Sequence, residues 1–368
     1  MDASKAFAAV SEAYAAHRPT YPPSLFTAIL DANPSLGRGG QRALAVDAAC
    51  GSGQASTALA ELFSRVVALD SCAEQVEQAE RRAAARAATA DNSNSNARRI
   101  EFRVADAHET GLGAASADLV AVAQALHWLD VPRFAREAAR VLKPHGTLAA
   151  WTYGLARVAA VAGAPGGGGG GGGGAWADDE GDERQGPPPS APPPPPSFLP
   201  RPATPPRSSA GAGAAGAADA ALRRLYDGLV AGGHWDDRRS HVVDAYARLV
   251  PQLGGRGGGG DGDGDGDDGP FGRVETRALE MRAWRGVDEL VGYVSSWSGV
   301  ARARAARGAA AAAGEDDDPV AAFRRELVAA LGGAEHESGA SLELVTPITL
   351  VLASEPRARA REGRHDVD

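Results

Sequence analysis

Three carboxylates and a pair of glycines stand in this chain where a nucleoside site would need them. The stretch Val46-Asp47-Ala48-Ala49-Cys50-Gly51-Ser52-Gly53-Gln54 sets two glycines directly after a short apolar run. A glycine-rich turn at the carboxyl end of a strand lets a ligand approach the backbone and meet the positive end of the next helix. Asp70 closes the run Val66-Val67-Ala68-Leu69, where a carboxylate can accept both hydroxyls of a ribose. Asp106 follows Phe102-Arg103-Val104-Ala105 and can reach an adenine edge. The turn lacks the third glycine of a dinucleotide fingerprint and the Lys-Ser/Thr pair of a phosphate loop. Together the three positions outline an adenosine-sized crevice at strand tips.

Positioning those tips requires alternating strands and helices. Unalternated apolar runs at Ala43–Val46, Val66–Leu69, Ile100–Val104, Leu119–Ala123 and Thr147–Trp151 read as strands buried on both faces. Between them Ala55–Phe63, Cys72–Ala87 and Pro132–Leu142 read as helices, so the repeat predicts a parallel sheet covered by helices. Helical periodicity returns at Ala217–Leu229, Arg238–Leu249, Val287–Trp297 and Ala321–Leu331. The strand-like segments Arg273–Met281 and Leu342–Leu352 are expected to form an antiparallel pair closing the sheet edge.

Composition divides the chain further. Its 368 residues include 47 glycines and 24 prolines, concentrated in tracts such as Gly166–Gly174, Pro187–Pro189, Pro192–Pro196 and Gly254–Gly269, which cannot build a core. The expected organisation is a lid with helical and aromatic character at 1–40, a binding core at 41–155 and a low-complexity insertion at 156–215. A helical insert at 216–252, a Gly/Asp loop at 253–270, a strand pair with intervening helices at 271–353 and a disordered tail at 354–368 complete it. The net charge of −9, without a long Lys/Arg block, argues against a nucleic-acid partner. Cys50 and Cys72 make neither a zinc set nor a disulfide framework, so no metal is expected and a reducing compartment suits the chain. The opening residues are charged and aromatic, and no run reaches eighteen apolar residues. A cytoplasmic protein without a membrane partner, monomeric or weakly dimeric, is the expectation.

The motifs also support a resemblance. The glycine turn, Val66–Asp70, Val104–Ala107 and the stretch Asp118–Trp128 resemble the class I S-adenosylmethionine-dependent methyltransferases of the type 11 domain, with trans-aconitate methyltransferase and its relatives as the nearest branch. The leader Tyr14…Arg18-Pro19-x-Tyr21-Pro22, Gln124-Ala125-x-His127-Trp128, Glu137…Arg140-Val141-Leu142-Lys143-Pro144-x-Gly146 and Ser295-Ser296-Trp297-Ser298 carry the likeness. It implies an α/β fold with a Rossmann-like seven-stranded mixed sheet, a helical insert and loop insertions. It also implies S-adenosyl-L-methionine as cofactor, contacted by Asp47, Ala49, Cys50, Gly51, Gly53, Asp70, Ser71, Asp106, Ala107 and Gln124. Many members have glycine where this chain has Ala49, a change that is tolerated if the residue keeps negative φ and that lowers cofactor affinity if the backbone there needs positive φ or a closer cofactor approach.

The resemblance implies a small-molecule methyl acceptor. An ionised carboxylate needs positioning by cations more than deprotonation, which favours O-methylation of a carboxylic acid, with Arg18 as the leading cation and Arg238 and Arg239 behind it. If the acceptor is instead a hydroxyl or amine, His127 is the best general base. Tyr14, Tyr21, Trp128, Trp151, Tyr153, Trp235 and Trp297 are candidates for the acceptor pocket walls. C- or N-methylation of a hydrophobic metabolite, and a non-catalytic binding protein with this fold, are the competing readings.

Overall fold

The computed structural model describes residues 21–36, 42–89, 99–163, 212–254, 269–308, 318–337 and 339–357. The parallel strands β1 (Leu44–Ala48), β2 (Arg65–Asp70), β3 (Ile100–Val104), β4 (Ala117–Ala123) and β5 (Leu142–Tyr153) lie in the order β3-β2-β1-β4-β5. Their side chains alternate between two cores. Val46, Ala48, Val67, Leu69, Val120 and Val122 face helix α4 (Val131–Val141), whose Phe134, Ala135 and Ala138 are buried against them. Ala45, Val66, Leu119 and Ala121 face α1 (Pro23–Asp31) and α2 (Gln54–Leu62) on the other side. Helix α3 (Ala73–Thr89) follows β2. Burial on both faces explains why these strands are unbroken apolar runs.

The edge expected to be antiparallel is so. β8 (Ser341–Pro356) pairs with β5 between Ile348 and Ala353, and β7 (Phe271–Gly286) pairs with β8 along its length. An eighth strand, β6 (Arg157–Ala162), departs from the expected seven and from the assignment of 156–215 to a low-complexity insertion. It continues the line of β5 along β8: Tyr153 is opposite Ile348 and Arg157 opposite Val345, and the Gly154 amide donates to the Pro347 carbonyl across the intervening bulge at 3.0 Å. Six residues, mostly Ala and Val, shortly before a glycine tract give little periodicity, so pairing with β8 decides their structure.

β6 and the first half of β8 form the platform for a helical lobe made of α5 (Ala212–Ala231), α7 (Val287–Ser295), α8 (Ser298–Gly308) and α9 (Pro319–Ala330). The Asp219 carboxylate on α5 accepts from the Val158 amide at 2.9 Å, tying the lobe to the sheet. The predicted helix Arg238–Leu249 is shorter than its periodicity suggests: α6 spans only Arg239–Val243, and Ala245 and Tyr246 follow with φ of 54° and 64°. That left-handed step swings the Tyr246 ring into the core, where it is fully buried. Of the expected lid, α1 belongs to the core, with Leu25, Phe26 and Ile29 buried beneath the sheet; residues 1–20 lie outside the described residues, as do Gly166–Gly174, both proline runs and 255–268. No described helix is long and apolar enough to cross a membrane.

Candidate functional site

The carboxyl ends of β1, β2 and β4 converge on a cleft of about 360 Å³. The turn after β1 is pinned from two sides: the Cys50 amide donates to the Leu69 carbonyl at 2.9 Å, and Arg82 on α3 donates to the Ser52 hydroxyl at 3.0 Å. Gly51 and Gly53 have φ of 53° and 78°, a region that glycine enters without steric cost. A Cβ on Gly53 would also stand 3.1 Å from the Ala79 Cβ and 3.3 Å from the Phe102 ring, so this glycine lets α2 seat against α3 and β3. Ala49 has φ of 55°, against the negative value expected of a residue with a side chain. Gln124, at the tip of β4, is likewise left-handed at 56°. Left-handed backbone in residues other than glycine persists where surrounding structure enforces it, and often at binding sites.

Carboxylates organise the rest. Asp70 accepts from the Gly51 amide at 2.8 Å and from the Cys72 amide at 2.9 Å, so it fastens the β1 turn to the β2 turn. Burial raises its pKa against the pull of those amides. Asp106 accepts from the His108 amide at 2.9 Å and meets His108 Nδ1 at 2.6 Å; the amide bond leads the causes that lower its pKa. The Asp130 amide in turn donates to His108 Nε2 at 3.0 Å, so the proton of that ring sits on Nδ1, toward Asp106. Asp47 is fully buried and lies behind the turn, outside the lining of the cleft. It accepts from the Ser56 hydroxyl at 2.5 Å, its Oδ1 has no hydrogen-bond partner, and burial pushes its pKa up to about 7.

Of the cofactor candidates, Ala49, Cys50, Gly51, Asp70, Ser71, Asp106, Ala107 and Gln124 line the cleft, whereas Asp47 and Gly53 shape it from behind. Gln54, Gln75 and His108 also line it, and sequence reasoning passed over them. The spacing Asp106-x-His108 was the available signal for the last. Tyr21 lines this cleft as well, and Arg238 sits at it with its guanidinium 5.1 Å from the Trp128 ring centre.

A second cavity, of about 80 Å³, adjoins the first through Gln124 and Trp128, which line both. His127, Tyr153, Trp235 and Trp297 of the acceptor candidates line it, together with Asp236, Arg239, Val242 and Tyr293. Trp235 packs on Trp297 with ring centres 5.9 Å apart, and Trp297 meets Tyr293 edge-on at 5.7 Å. Gly299 on α8 permits this: a Cβ there would stand 2.9 Å from the Trp235 ring. His127 Nδ1 lies 3.1 Å from the Tyr246 hydroxyl and gives that buried group a hydrogen-bond partner. Burial, and then the Arg239 charge, lower the His127 pKa to about 4, so the ring is neutral. Trp151 is the exception among the candidates: it lines neither cavity and is fully buried, with Tyr21 and Phe26 rings edge-on at 5.3 Å and 6.2 Å. Tyr14 and Arg18 lie outside the described residues. Among the described residues no group of three or more His, Cys, Asp or Glu side chains could hold a metal.

Residues 46–150 match the family described as a methyltransferase domain. A Dictyostelium discoideum protein carrying a methyltransferase name is 35% identical over 152 residues, which cover 41% of this chain and 50% of that protein. A Saccharomyces cerevisiae protein named as an S-adenosylmethionine-dependent methyltransferase is 27% identical over 141 residues, covering 37% of this chain and 43% of its own. The matches thus span about half the length of these curated relatives, or less. A solved structure from Anaeromyxobacter dehalogenans, described as a type II methyltransferase, superposes with a TM-score of 0.58 at 28% identity, covering 93% of this chain and all of that one.

Proposed function

We propose, for a chain whose core is that of a class I S-adenosylmethionine-dependent methyltransferase, that the larger cleft binds this cofactor and the adjoining cavity receives a small methyl acceptor. The observation that carries the reading is the pair of cavities sharing Gln124 and Trp128, the larger one rimmed by the glycine turn and by carboxylates at the tips of β2 and β3. The residues present fit the cofactor: Asp70 can accept ribose hydroxyls, Asp106 can meet the adenine edge, and the Gly51 region admits the remaining chain close to the backbone. When bound, the cofactor supplies an activated methyl on a positively charged sulfur. Trp128 offers an aromatic face to such a charge, and the walls of the second cavity exclude water from the acceptor.

The favoured acceptor atom is a carboxylate oxygen. His127 lies in the acceptor cavity but is held neutral, with a pKa near 4, so it is a weak proton acceptor at neutral pH. An acceptor that is already ionised needs no base, only placement. Arg238 at the cofactor cleft and Arg239 in the cavity supply positive charge for that placement, and Arg18, the leading cation of the sequence reading, stays proposed beside them. Methyl incorporation from radiolabelled cofactor into a panel of carboxylic acids, phenols and amines tests the reading. Labelled methyl esters from the acids are expected. Product from the phenols or amines alone overturns the acid assignment, and calorimetry that finds no binding of either S-adenosylmethionine or S-adenosylhomocysteine overturns the methyltransferase reading.

A further inference from the structure

Arg239 sits against two aromatic rings at the second cavity. Its guanidinium lies 4.8 Å from the Trp235 ring centre and 5.8 Å from that of Tyr226, and it forms no ion pair among the described residues. Its Nε is buried without a hydrogen-bond partner. The Trp235 indole Nε1 is buried and unpartnered in the same way. Both side chains line the second cavity, whose one carboxylate, Asp236, is already engaged: it accepts from Arg302 at 3.1 Å and from the Arg238 amide at 3.1 Å. A buried donor without a partner is costly, and more so when charged, so two such donors beside one cavity signal a missing acceptor.

We propose that Arg239 and the Trp235 indole N–H form an anion subsite in the second cavity and that it takes the carboxylate of a small organic acid. Size favours this anion, because about 80 Å³ accommodates a carboxylate and its neighbouring atoms while the aromatic walls of Trp235, Trp297 and Tyr293 suit the carbon next to it. A guanidinium presents donors in a planar fork that matches a carboxylate, and the stacked rings keep the fork in place before the ligand arrives. The subsite deepens the acceptor reading and rests on it for its role in methyl transfer, although anion binding itself does not require the cofactor.

The test uses the full chain with propionate, its neutral analogue propionamide and inorganic phosphate as probes, titrated by calorimetry or ligand-detected NMR with and without S-adenosylhomocysteine. Propionate is expected to bind at least tenfold more tightly than propionamide or phosphate. Arg239→Gln is expected to erase that preference, Arg239→Lys to keep part of it, and Trp235→Phe, which keeps the stack and loses the N–H, to weaken propionate several-fold. Affinity for S-adenosylhomocysteine should change less than twofold in all three, which also reports that they fold. Equal binding of propionate and propionamide, an unchanged preference in Arg239→Gln, or a preference for phosphate overturns the carboxylate subsite. A wild-type chain that binds propionate but not S-adenosylhomocysteine sinks the methyltransferase reading and leaves the subsite standing.

Discussion

The two cavities are built on opposite plans. In the larger cleft the polar groups that form the rim are satisfied by the protein itself: Asp70 takes two backbone amides, Asp106 takes the His108 amide and ring, and Ser52 is held by Arg82. The smaller cavity leaves Arg239 Nε and Trp235 Nε1 without partners. The first is a cradle set before ligand arrives, as binding without a large ordering cost requires. The second is completed by what enters it. A shared cofactor can be met by a self-sufficient frame, while selection among acceptors is stronger when the wrong one leaves buried donors unpaired.

Breaking the frame should therefore damage one cavity and spare the other. Asp70→Ala removes the acceptor of both the Gly51 and Cys72 amides and the proposed ribose contact, and about a 100-fold loss of S-adenosylhomocysteine affinity is expected by calorimetry. Propionate binding in the second cavity should stay within twofold. A loss of both would mean that the two sites share one folding unit at the β2 tip.

Asp47 sharpens the same contrast through pH. Its carboxyl titrates near 7 in the folded protein because it is buried, against roughly 4 in an unfolded chain. Between those values the folded state holds a proton that the unfolded state has released, so this group makes stability fall as pH rises from 4 to 7 and level off above. Asp47→Asn keeps an acceptor for Ser56 and removes the titration. The melting temperature of the variant should match wild type near pH 4.5 and exceed it at pH 8, by a gap on the order of 5 °C. A gap that is constant with pH would show that Asp47 is ionised throughout.

His127 examines the second cavity. With its pKa lowered to about 4, it contributes little as a base, and His127→Gln should lower kcat for a carboxylic acid only about threefold. A loss of roughly 100-fold or more would make it the base and return the hydroxyl or amine acceptors to first place.

The contrast between the cavities also explains what the sequence revealed. The cleft was legible because its parts are local: a turn directly after an apolar run and carboxylates closing two others. The second cavity joins side chains from the tip of β4, β5, α6 and α7, and the pairing of His127 with Tyr246 spans 119 positions, so no local pattern announces it. Some motifs that carry the resemblance serve the scaffold. Glu137 accepts from the Thr110 amide and hydroxyl at 2.9 and 2.6 Å and binds Arg140, while Lys143 reaches Asp118, which receives the Ala43 and Leu44 amides. These contacts fasten α4 and the beginnings of β1, β4 and β5, so recognition and chemistry sit on different residues. Trp151 was misplaced for a related reason: an aromatic at a strand end reads alike whether it turns to a pocket or to the core, and only the packing of α1 puts it in the core. α6 stops early because burying Tyr246 outweighs helical periodicity, which carries no record of long-range contacts.

The smallest expected effect lies at Ala49, in the turn after β1. Ala49 occupies left-handed backbone, which costs a residue with a Cβ about 1–2 kcal/mol relative to glycine. Ala49→Gly relieves that strain but also loosens the unfolded chain by roughly 0.5–1 kcal/mol, so a net gain of about 0.5 kcal/mol, or 1–2 °C in Tm, is expected. Because Ala49 lines the cleft, the gain should come with up to twofold tighter S-adenosylhomocysteine binding and no change in propionate affinity. A variant less stable than wild type would mean that the cradle relaxes the alanine to negative φ, and the frame of the first cavity would then be less rigid than its hydrogen bonds suggest.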